Sequence, residues 1–344
     1  MQTSLVTGGA GFIGSHLVEA LLTAGRRVLV IDDVSTGSAE NLRKVQGHPN
    51  FQLVIDSISN KTRLAELVRQ ADEVYHLAAV VGVRLVLEDP VRTVATNVDP
   101  TETLLRLCAG SGDPRTTEGN RRATEVDSQP KPLFLASTSE VYGKNPKSPL
   151  AEDDDLVLGP TSKGRWIYAC SKAMDEYLAL SYARSGSPVI IGRFFNVVGP
   201  RQVGRFGMVL PRFVDQALAG GPLVVYDDGR QVRCFAHVSD IVRAVQELMA
   251  CPAAKGRVFN LGSDEPVTIR SLAERVAATV DPQLAIEHVP YTTAYAAGFE
   301  DIQCRVPDLT RIRETIDYRP RHRLDDIIRE VVAWRKAKNH ESHE

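Results

Sequence analysis

The run Thr7-Gly8-Gly9-Ala10-Gly11-Phe12-Ile13-Gly14 constrains this chain more than any other. It follows a short apolar segment, Ser4–Thr7, and opens a helical pattern, Ile13–Ala24. A strand that passes directly into a helix needs a tight turn. Glycine at positions 8, 11 and 14 permits that turn and lets the backbone approach a ligand with no Cβ in the way. The helix start presents free N–H groups and the positive end of its dipole, which together suit a pyrophosphate. The strand before and the helix after are the context that gives glycines at this spacing their meaning.

The second apolar run, Val28–Ile31, is followed by Asp32 and Asp33. A carboxylate there can accept both ribose hydroxyls and repels a 2′-phosphate, so NAD is expected rather than NADP. Arg26 and Arg27 precede the strand and are poorly placed to reverse that preference. Asp56, just past the third run, is placed either to meet an adenine or to serve as a turn carboxylate.

The first half alternates short apolar runs with helical patterns. The runs Phe51–Ile55, Val74–Ala78 and Leu133–Ala136 join the first two, and Lys61–Gln70 and Val91–Ala109 read as helices. The runs are continuous and not alternating, as strands buried on both faces are. The predicted class is therefore α/β: a Rossmann-like, doubly wound parallel sheet with a smaller mixed α/β C-terminal substrate lobe. Residues 1–186 are expected to form the dinucleotide-binding domain and 187–344 mainly the substrate lobe. Segments near 187–195 and 233–262 are expected to pack back on the first domain. Val189–Ile191 reads as a sixth buried strand, with short strands near Val224–Tyr226 and Val258–Leu261. Helices are predicted at Val209–Ala219, Asp240–Ala250, Ile269–Val280 and Leu324–Lys336. The polar stretch Gly110 to Lys131 has almost no large apolar residue and reads as an exposed insertion.

Tyr168-Ala-Cys-Ser-Lys172 carries the chemistry. Residues four apart share a helix face, so the Lys172 ammonium sits beside the Tyr168 phenol. A tyrosine titrates near about 10, and a neighbouring cation favours the phenolate. The expectation is a lowered pKa and an acid/base working near neutral pH.

Bulk properties exclude several classes. Lys+Arg 41 against Asp+Glu 43 gives a net charge of −2, which does not support nucleic-acid or anionic-membrane binding. No apolar run reaches the roughly 20 residues needed to span a bilayer. Cys108, Cys170, Cys234, Cys251 and Cys304 are scattered and form no C-x-x-C. A disulfide framework or a zinc site is not expected. With a strand-like run at the start and no signal peptide, a reducing, cytoplasmic location is.

With these pieces placed, the chain resembles the extended short-chain dehydrogenase/reductases that modify nucleotide sugars. The matching stretches are the glycine turn, His76-Leu-Ala-Ala79, Asn97, Ser137-Thr-Ser-Glu-Val-Tyr-Gly143, Tyr168-x-x-x-Lys172, Arg193-Phe-Phe-Asn196 with Gly199-Pro200, and Arg233 through Val238 with Asp240. The resemblance implies NAD held by Gly8, Gly11, Phe12, Ile13, Gly14, Asp32, Asp33, Asp56, Leu77, Ala78, Ala79, Asn97, Tyr168 and Lys172. It implies a UDP-sugar held by Asn196, Val209, Arg212, Tyr226 and Arg233. Tyr168 would take the proton of the sugar C4 hydroxyl while hydride passes to NAD. Lys172 would bind the nicotinamide ribose, and Thr138 or Ser139 would hydrogen-bond the reacting oxygen. The family commonly has Asn-x-x-Gly-Thr where this chain has Asn97-Val-Asp-Pro100-Thr101, so a helix is expected to begin or kink at Pro100.

Within the family, Ser139 stands where sugar 4,6-dehydratases carry an acidic Asp, which disfavours dehydration. Thr138-Ser-Glu140 resembles the UDP-glucuronate decarboxylases, as does Arg305-Val-Pro-Asp308. Gly159-Pro160 with Lys163, Arg165 and Trp166-Ile-Tyr168 is similar to the lipid A branch. The implied activity is UDP-glucuronate decarboxylation through transient C4 oxidation, of the UDP-xylose synthase type. Glu140 would position the sugar or relay a proton, and Arg305 would steady charge. A plain ion pair for Glu140 and a surface turn for Arg305 are the structural alternatives. A UDP-sugar 4-epimerase is the alternative activity, and a non-catalytic NAD-binding module is a third. A homodimer is implied, through helices near Asn97–Ala109 and Tyr168–Ala183. No metal is indicated.

Overall fold

Seven short apolar runs lie side by side in the computed structural model, which describes residues 1–80, 89–110, 129–204, 207–294 and 300–341. They are β1 (Thr3–Thr7), β2 (Arg27–Asp32), β3 (Phe51–Ile55), β4 (Glu73–His76), β5 (Leu133–Thr138), β6 (Val189–Phe194) and, much later in the chain, β11 (Val258–Leu261). Their order is β11-β6-β5-β4-β1-β2-β3, and every pairing is parallel. From β1 the chain winds outward through β2 and β3; from β4 it winds the other way. The reversal between β1 and β4 opens a crevice at the carboxyl ends of the strands, where ligands bind in such sheets.

Both faces of the sheet are covered, which explains the continuous apolar runs. Alternate residues of β1 point to opposite faces, and Leu5 and Val6 are both fully buried. On one side Val6 and Val30 meet Leu17, Val18 and Leu21 of α1 (Phe12–Thr23). On the other, Leu5 and Leu29 meet Leu64 and Leu67 of α2 (Lys61–Gln70) and Leu104 and Leu105 of α3 (Pro90–Ala109). Helix α4 (Ile167–Arg184) lies beside α3.

α3 corrects one expectation. It runs unbroken from Pro90 to Ala109 with Pro100 inside it, so no helix begins at Pro100. Asp89 caps the true start by accepting from the Arg92 amide at 3.0 Å. The bond Pro100 cannot donate would have gone to the Thr96 carbonyl, four residues back. The polar stretch expected as an insertion falls largely on residues 111–128, outside the described residues.

The remaining elements build a second core. α5 (Val209–Leu218), α7 (Ile269–Val280) and α10 (Leu324–Glu341) bury Leu210, Phe213, Leu272 and Ile327 against one another. α6 (Val238–Ala250) covers the main sheet instead, through Ile241, Val245 and Leu248. Three small sheets shape the cleft: β7 (Val197–Val198) with β10 (Ala236–His237), β8 (Leu223–Tyr226) with β13 (Ile286–Val289), and β9 (Val232–Cys234) between β12 (Pro266–Thr268) and β14 (Cys304–Arg305). α8 (Tyr291–Ala294) is a single turn, and α9 is Thr310–Ile316.

Candidate active site

A cleft of about 480 Å³ runs from the glycine turn, across the ends of β4 and β5, to β8 and β9. Gly8, Gly11, Phe12, Ile13, Gly14, Asp32, Asp33, Leu77, Ala78 and Ala79 line one end. Gly8 has φ +72°, and a Cβ there would stand 2.7 Å from the Ala78 nitrogen. A Cβ on Gly14 would stand 2.1 Å from the Gly8 carbonyl oxygen. The turn closes only because both are absent. Gly11 precedes α1 and gives it no side-chain cap, and the first turn holds no acidic residue. Its first N–H groups are therefore left for a ligand.

The Asp32 carboxylate accepts from the amides of Ala10 and Val34, each at 2.8 Å. Burial raises its pKa, and the two amides oppose that shift. A backbone cradle without Cβ atoms, an uncapped helix start and a fixed carboxylate beyond it fit a dinucleotide.

Two residues expected at this end are elsewhere. Asp56 does not line the cleft; it accepts from Ser57 N at 2.8 Å and Asn60 Nδ2 at 2.9 Å, as a turn carboxylate, and Ile58 lines the cleft instead. Asn97 is buried behind the wall. It accepts from Val80 N at 2.8 Å and donates to Ser171 Oγ at 3.2 Å, bracing α3 against α4, while Thr96 and Val80 face the cleft.

Thr138, Ser139, Glu140, Tyr168, Lys172 and Arg305 converge on the middle of the cleft. The chain leaves β5 in a short 3-10 turn, Ser139–Tyr142, capped by the Thr138 hydroxyl, which accepts from Glu140 N at 3.2 Å. Tyr168 and Lys172 stand one turn apart on α4. The lowered tyrosine pKa expected from that pairing is not what the structure gives. Burial, then the Glu140 charge, push the Tyr168 phenol up, against the Thr138 hydroxyl. Lys172 turns its ammonium to Asp175 Oδ2 at 2.8 Å.

Glu140 does form an ion pair. Its carboxylate lies 2.6 Å from Arg165 Nη1 and 3.6 Å from Arg305. Burial alone would raise its pKa; the two guanidinium groups outweigh burial and lower it. Arg305 is not on a surface turn. It sits in β14 with a side chain 13% exposed, 3.3 Å from Ser139 Oγ and 3.4 Å from Asn196 Oδ1. Burial, then the charge of Arg233, push it down to about 10.

Asn196, Val209, Arg212, Tyr226 and Arg233 line the far end. The Arg212 guanidinium lies 4.2 Å over the Tyr226 ring and donates to the Val224 carbonyl at 3.1 Å. Arg233 is ion-paired to Asp301 at 3.2 Å, and Asp301 also accepts from the Tyr291 hydroxyl at 2.5 Å.

Behind the site, Arg193 of β6 grips Glu176 of α4. Nη2 is 2.7 Å from Oε2, and Nε is 3.0 Å from Oε1. The same carboxylate accepts the Ser137 hydroxyl. This locks the Tyr168 helix to the strand that delivers Thr138.

Sequence reasoning gave Arg165 no role in the site and missed Asp175, Asp301 and Tyr291. Arg165 precedes Tyr168 by three residues and Asp175 follows Lys172 by three, so helical spacing held a usable signal for both. Asp301 and Tyr291 meet Arg233 only across the fold, with no local signal. Among the described residues no group of His, Cys, Asp or Glu could hold a metal ion.

Residues 5–331 match the family described as GDP-mannose 4,6 dehydratase. The chain is 38% identical over 331 residues to UDP-N-acetyl-alpha-D-glucosaminuronate decarboxylase of Bacillus cytotoxicus, covering 96% of each. It is 34% identical over 330 residues to UDP-glucuronic acid decarboxylase 1 of Arabidopsis thaliana, covering 96% of this chain and 68% of that one. Its fold superposes with a TM-score of 0.82 on a mutant UDP-glucuronic acid 4-epimerase of Bacillus cereus, solved with UDP-4-deoxy-4-fluoro-glucuronic acid and NAD. Identity there is 27%, over 98% of this chain and 100% of that one. With this match along nearly its whole length and the glycine cradle, Tyr168, Lys172 and Thr138 around one cleft, the chain belongs to the extended short-chain dehydrogenase/reductase family of nucleotide-sugar enzymes.

Proposed function

We propose that this chain is an NAD-dependent decarboxylase of a UDP-linked uronic acid, of the glucuronate type. The observation that carries the reading is Arg305. Its guanidinium is buried at the reacting end of the cleft, and its Nε has no hydrogen-bond partner among the described residues. A buried donor left open beside Ser139 and Asn196 suits an oxyanion or carboxylate.

The glycine turn and the first N–H groups of α1 would hold the pyrophosphate of NAD, and Asp32 its ribose. Bound NAD supplies the two-electron oxidation at C4 and takes part again if the ketone is reduced. Tyr168 takes the C4 hydroxyl proton, with Thr138 or Ser139 hydrogen-bonded to the same oxygen. A C4 ketone lies β to the uronate carboxylate. The bond between C5 and the carboxyl carbon then breaks, CO2 leaves, and the electron pair moves into an enolate across C5, C4 and oxygen. Arg305 stabilises that charge, and C5 gains a proton. Glu140, held by Arg165, orients the sugar. Asn196, Arg212, Tyr226 and Arg233 hold the UDP part, with Val209 in the wall.

A uronate 4-epimerase is the second reading, favoured by the likeness to UDP-glucuronic acid 4-epimerase. It needs the same Tyr168, Lys172, Thr138 and Ser139. Incubation with NAD and UDP-glucuronic acid, followed by mass spectrometry and proton NMR, separates the two. Loss of one CO2 supports the decarboxylase; unchanged mass with inverted C4 selects the epimerase. Tyr168→Phe that turns over like wild type would sink both and leave a non-catalytic NAD-binding module.

The chain is also proposed to be a homodimer. Val91 and Val94 of α3 and Met174 and Tyr177 of α4 are exposed apolar side chains on neighbouring helices, 79%, 38%, 48% and 66% accessible. Two copies would bury them in a four-helix contact. A cytoplasmic site is proposed from the five free thiols. Among the described residues no helix is long and apolar enough to cross a membrane.

A further inference from the structure

Lys172, which lines the cleft, forms a buried pair with Asp175 behind it. Their side chains are 3% and 0% exposed, and Nζ is 2.8 Å from Oδ2. A single buried cation or anion would be strongly disfavoured; each makes the other tolerable. Burial pushes the Asp175 carboxyl up, and the charge and hydrogen bond of Lys172 oppose that; the Thr101 hydroxyl of α3 stands nearby. That hydroxyl is 2.6 Å from the Asn97 carbonyl and 2.9 Å from His76 Nε2. His76 Nδ1 is 2.7 Å from Thr7 Oγ1. When Thr101 donates to Asn97, His76 donates from Nε2 and accepts from Thr7 at Nδ1. A neutral imidazole fits that chain, and burial, then the Lys172 charge, push His76 down to about 3. Thr7, His76 and Thr101 thus tie β1 and β4 to α3, next to the face of α4 that carries the pair.

We propose that Asp175 is a positioning residue for the reaction: it is the fixed counter-ion that holds the Lys172 amine beneath Tyr168 and keeps it a cation. The inference rests on the reading of Tyr168 as the acid/base. Asp175 also adds, after burial and the Glu140 charge, to what holds the Tyr168 phenol up. Asp175 lies seven residues from Tyr168, two helical turns along the same face, and its charge opposes the phenolate. Titratable groups face the three residues from neighbouring elements among the described residues. Glu140 and Arg165 face Tyr168 from the segments before α4. His76 of β4 faces Lys172, and Glu176 stands beside Asp175.

The test is the pH profile of kcat/KM in the NAD-loaded full chain. In Asp175→Asn the buried amine lacks its anion and gives up its proton more readily. The alkaline limb is then expected to fall by about two pH units or more, on the scale of an ion pair lost at this spacing. In Asp175→Asn combined with Lys172→Arg, which cannot deprotonate, that shift should vanish. An alkaline limb unmoved in folded Asp175→Asn, or moved equally in the Arg background, would overturn the proposal. If Asp175→Asn does not fold, Lys172→Met/Asp175→Asn decides. A double variant that folds shows that the lone ammonium was the defect and supports the counter-ion role. A double variant that also fails to fold overturns it. Failure of the acid/base reading is separate, because it appears as a Tyr168→Phe enzyme with normal turnover.

Discussion

Arg193→Met tests how the Tyr168 helix is held. Arg193 and Glu176 are 5% and 4% exposed. The guanidinium makes a forked contact with the carboxylate, donates to the Glu152 carbonyl at 3.0 Å, and lies 4.7 Å over the Tyr142 ring. Methionine fills much of the volume but leaves Glu176 as a buried, unpaired anion. Breaking such a pair from one side costs about 3–5 kcal/mol. The lost bond to Glu152 adds about 1 kcal/mol. Adding Glu176→Leu removes the stranded charge and leaves mainly the Ser137 hydroxyl without its partner. The double variant is therefore expected to be more stable than Arg193→Met alone, by about 2 kcal/mol. Urea unfolding followed by circular dichroism, with midpoints compared at a common slope, measures both. A single variant costing under about 1 kcal/mol would refute the reasoning. So would a double variant whose cost equals the sum of the two singles within about 0.5 kcal/mol.

Gly14→Ala forces a Cβ to within 2.1 Å of the Gly8 carbonyl, so the turn must open; NAD should no longer co-purify, as absorbance of the denatured supernatant will report. His76 is neutral when folded, with its pKa pushed down by burial to about 3, so its contribution is complete above the unfolded value and is lost as pH falls below it. From pH 6.5 to 5 that loss is about 2 kcal/mol, and His76→Gln should flatten the acid slope of stability by that amount. Met174→Glu with Tyr177→Glu places carboxylates on the exposed α4 face; if wild type is the proposed dimer, light scattering should find this variant a monomer.

The sheet and its crevice were legible because local rules suffice for them. Lys61–Gln70 and Ile269–Val280 were read from sequence with the ends found in the structure, by apolar spacing alone. The glycine turn was legible because Cβ clashes at Gly8 and Gly14 are set within a few residues and by the neighbouring strand end. Pro100 misled because its helix starts ten residues earlier, at an Asp89 cap that masks a mid-helix proline. The Tyr168–Lys172 pairing was only half legible. Spacing places Lys172 beside Tyr168, but where the ammonium points is decided by Asp175 and by burial. Glu140 is similar: its partners, Arg165 and Arg305, are 25 and 165 residues away along the chain.

The Arg233–Asp301 pair bears on how a ligand enters. Arg233 is already answered by a carboxylate, itself tied to Tyr291. On the proposed reading, a diphosphate arriving here would not meet a bare cation; it would compete for one. Binding would then be a partner exchange, in which Asp301 is released as a phosphate oxygen arrives. The free energy gained is the difference between two ion pairs and not the worth of one. Long-range attraction at this end is correspondingly weak, so association should respond little to ionic strength. Discrimination would then fall on the proposed sugar end, where Arg305 Nε has no partner among the described residues.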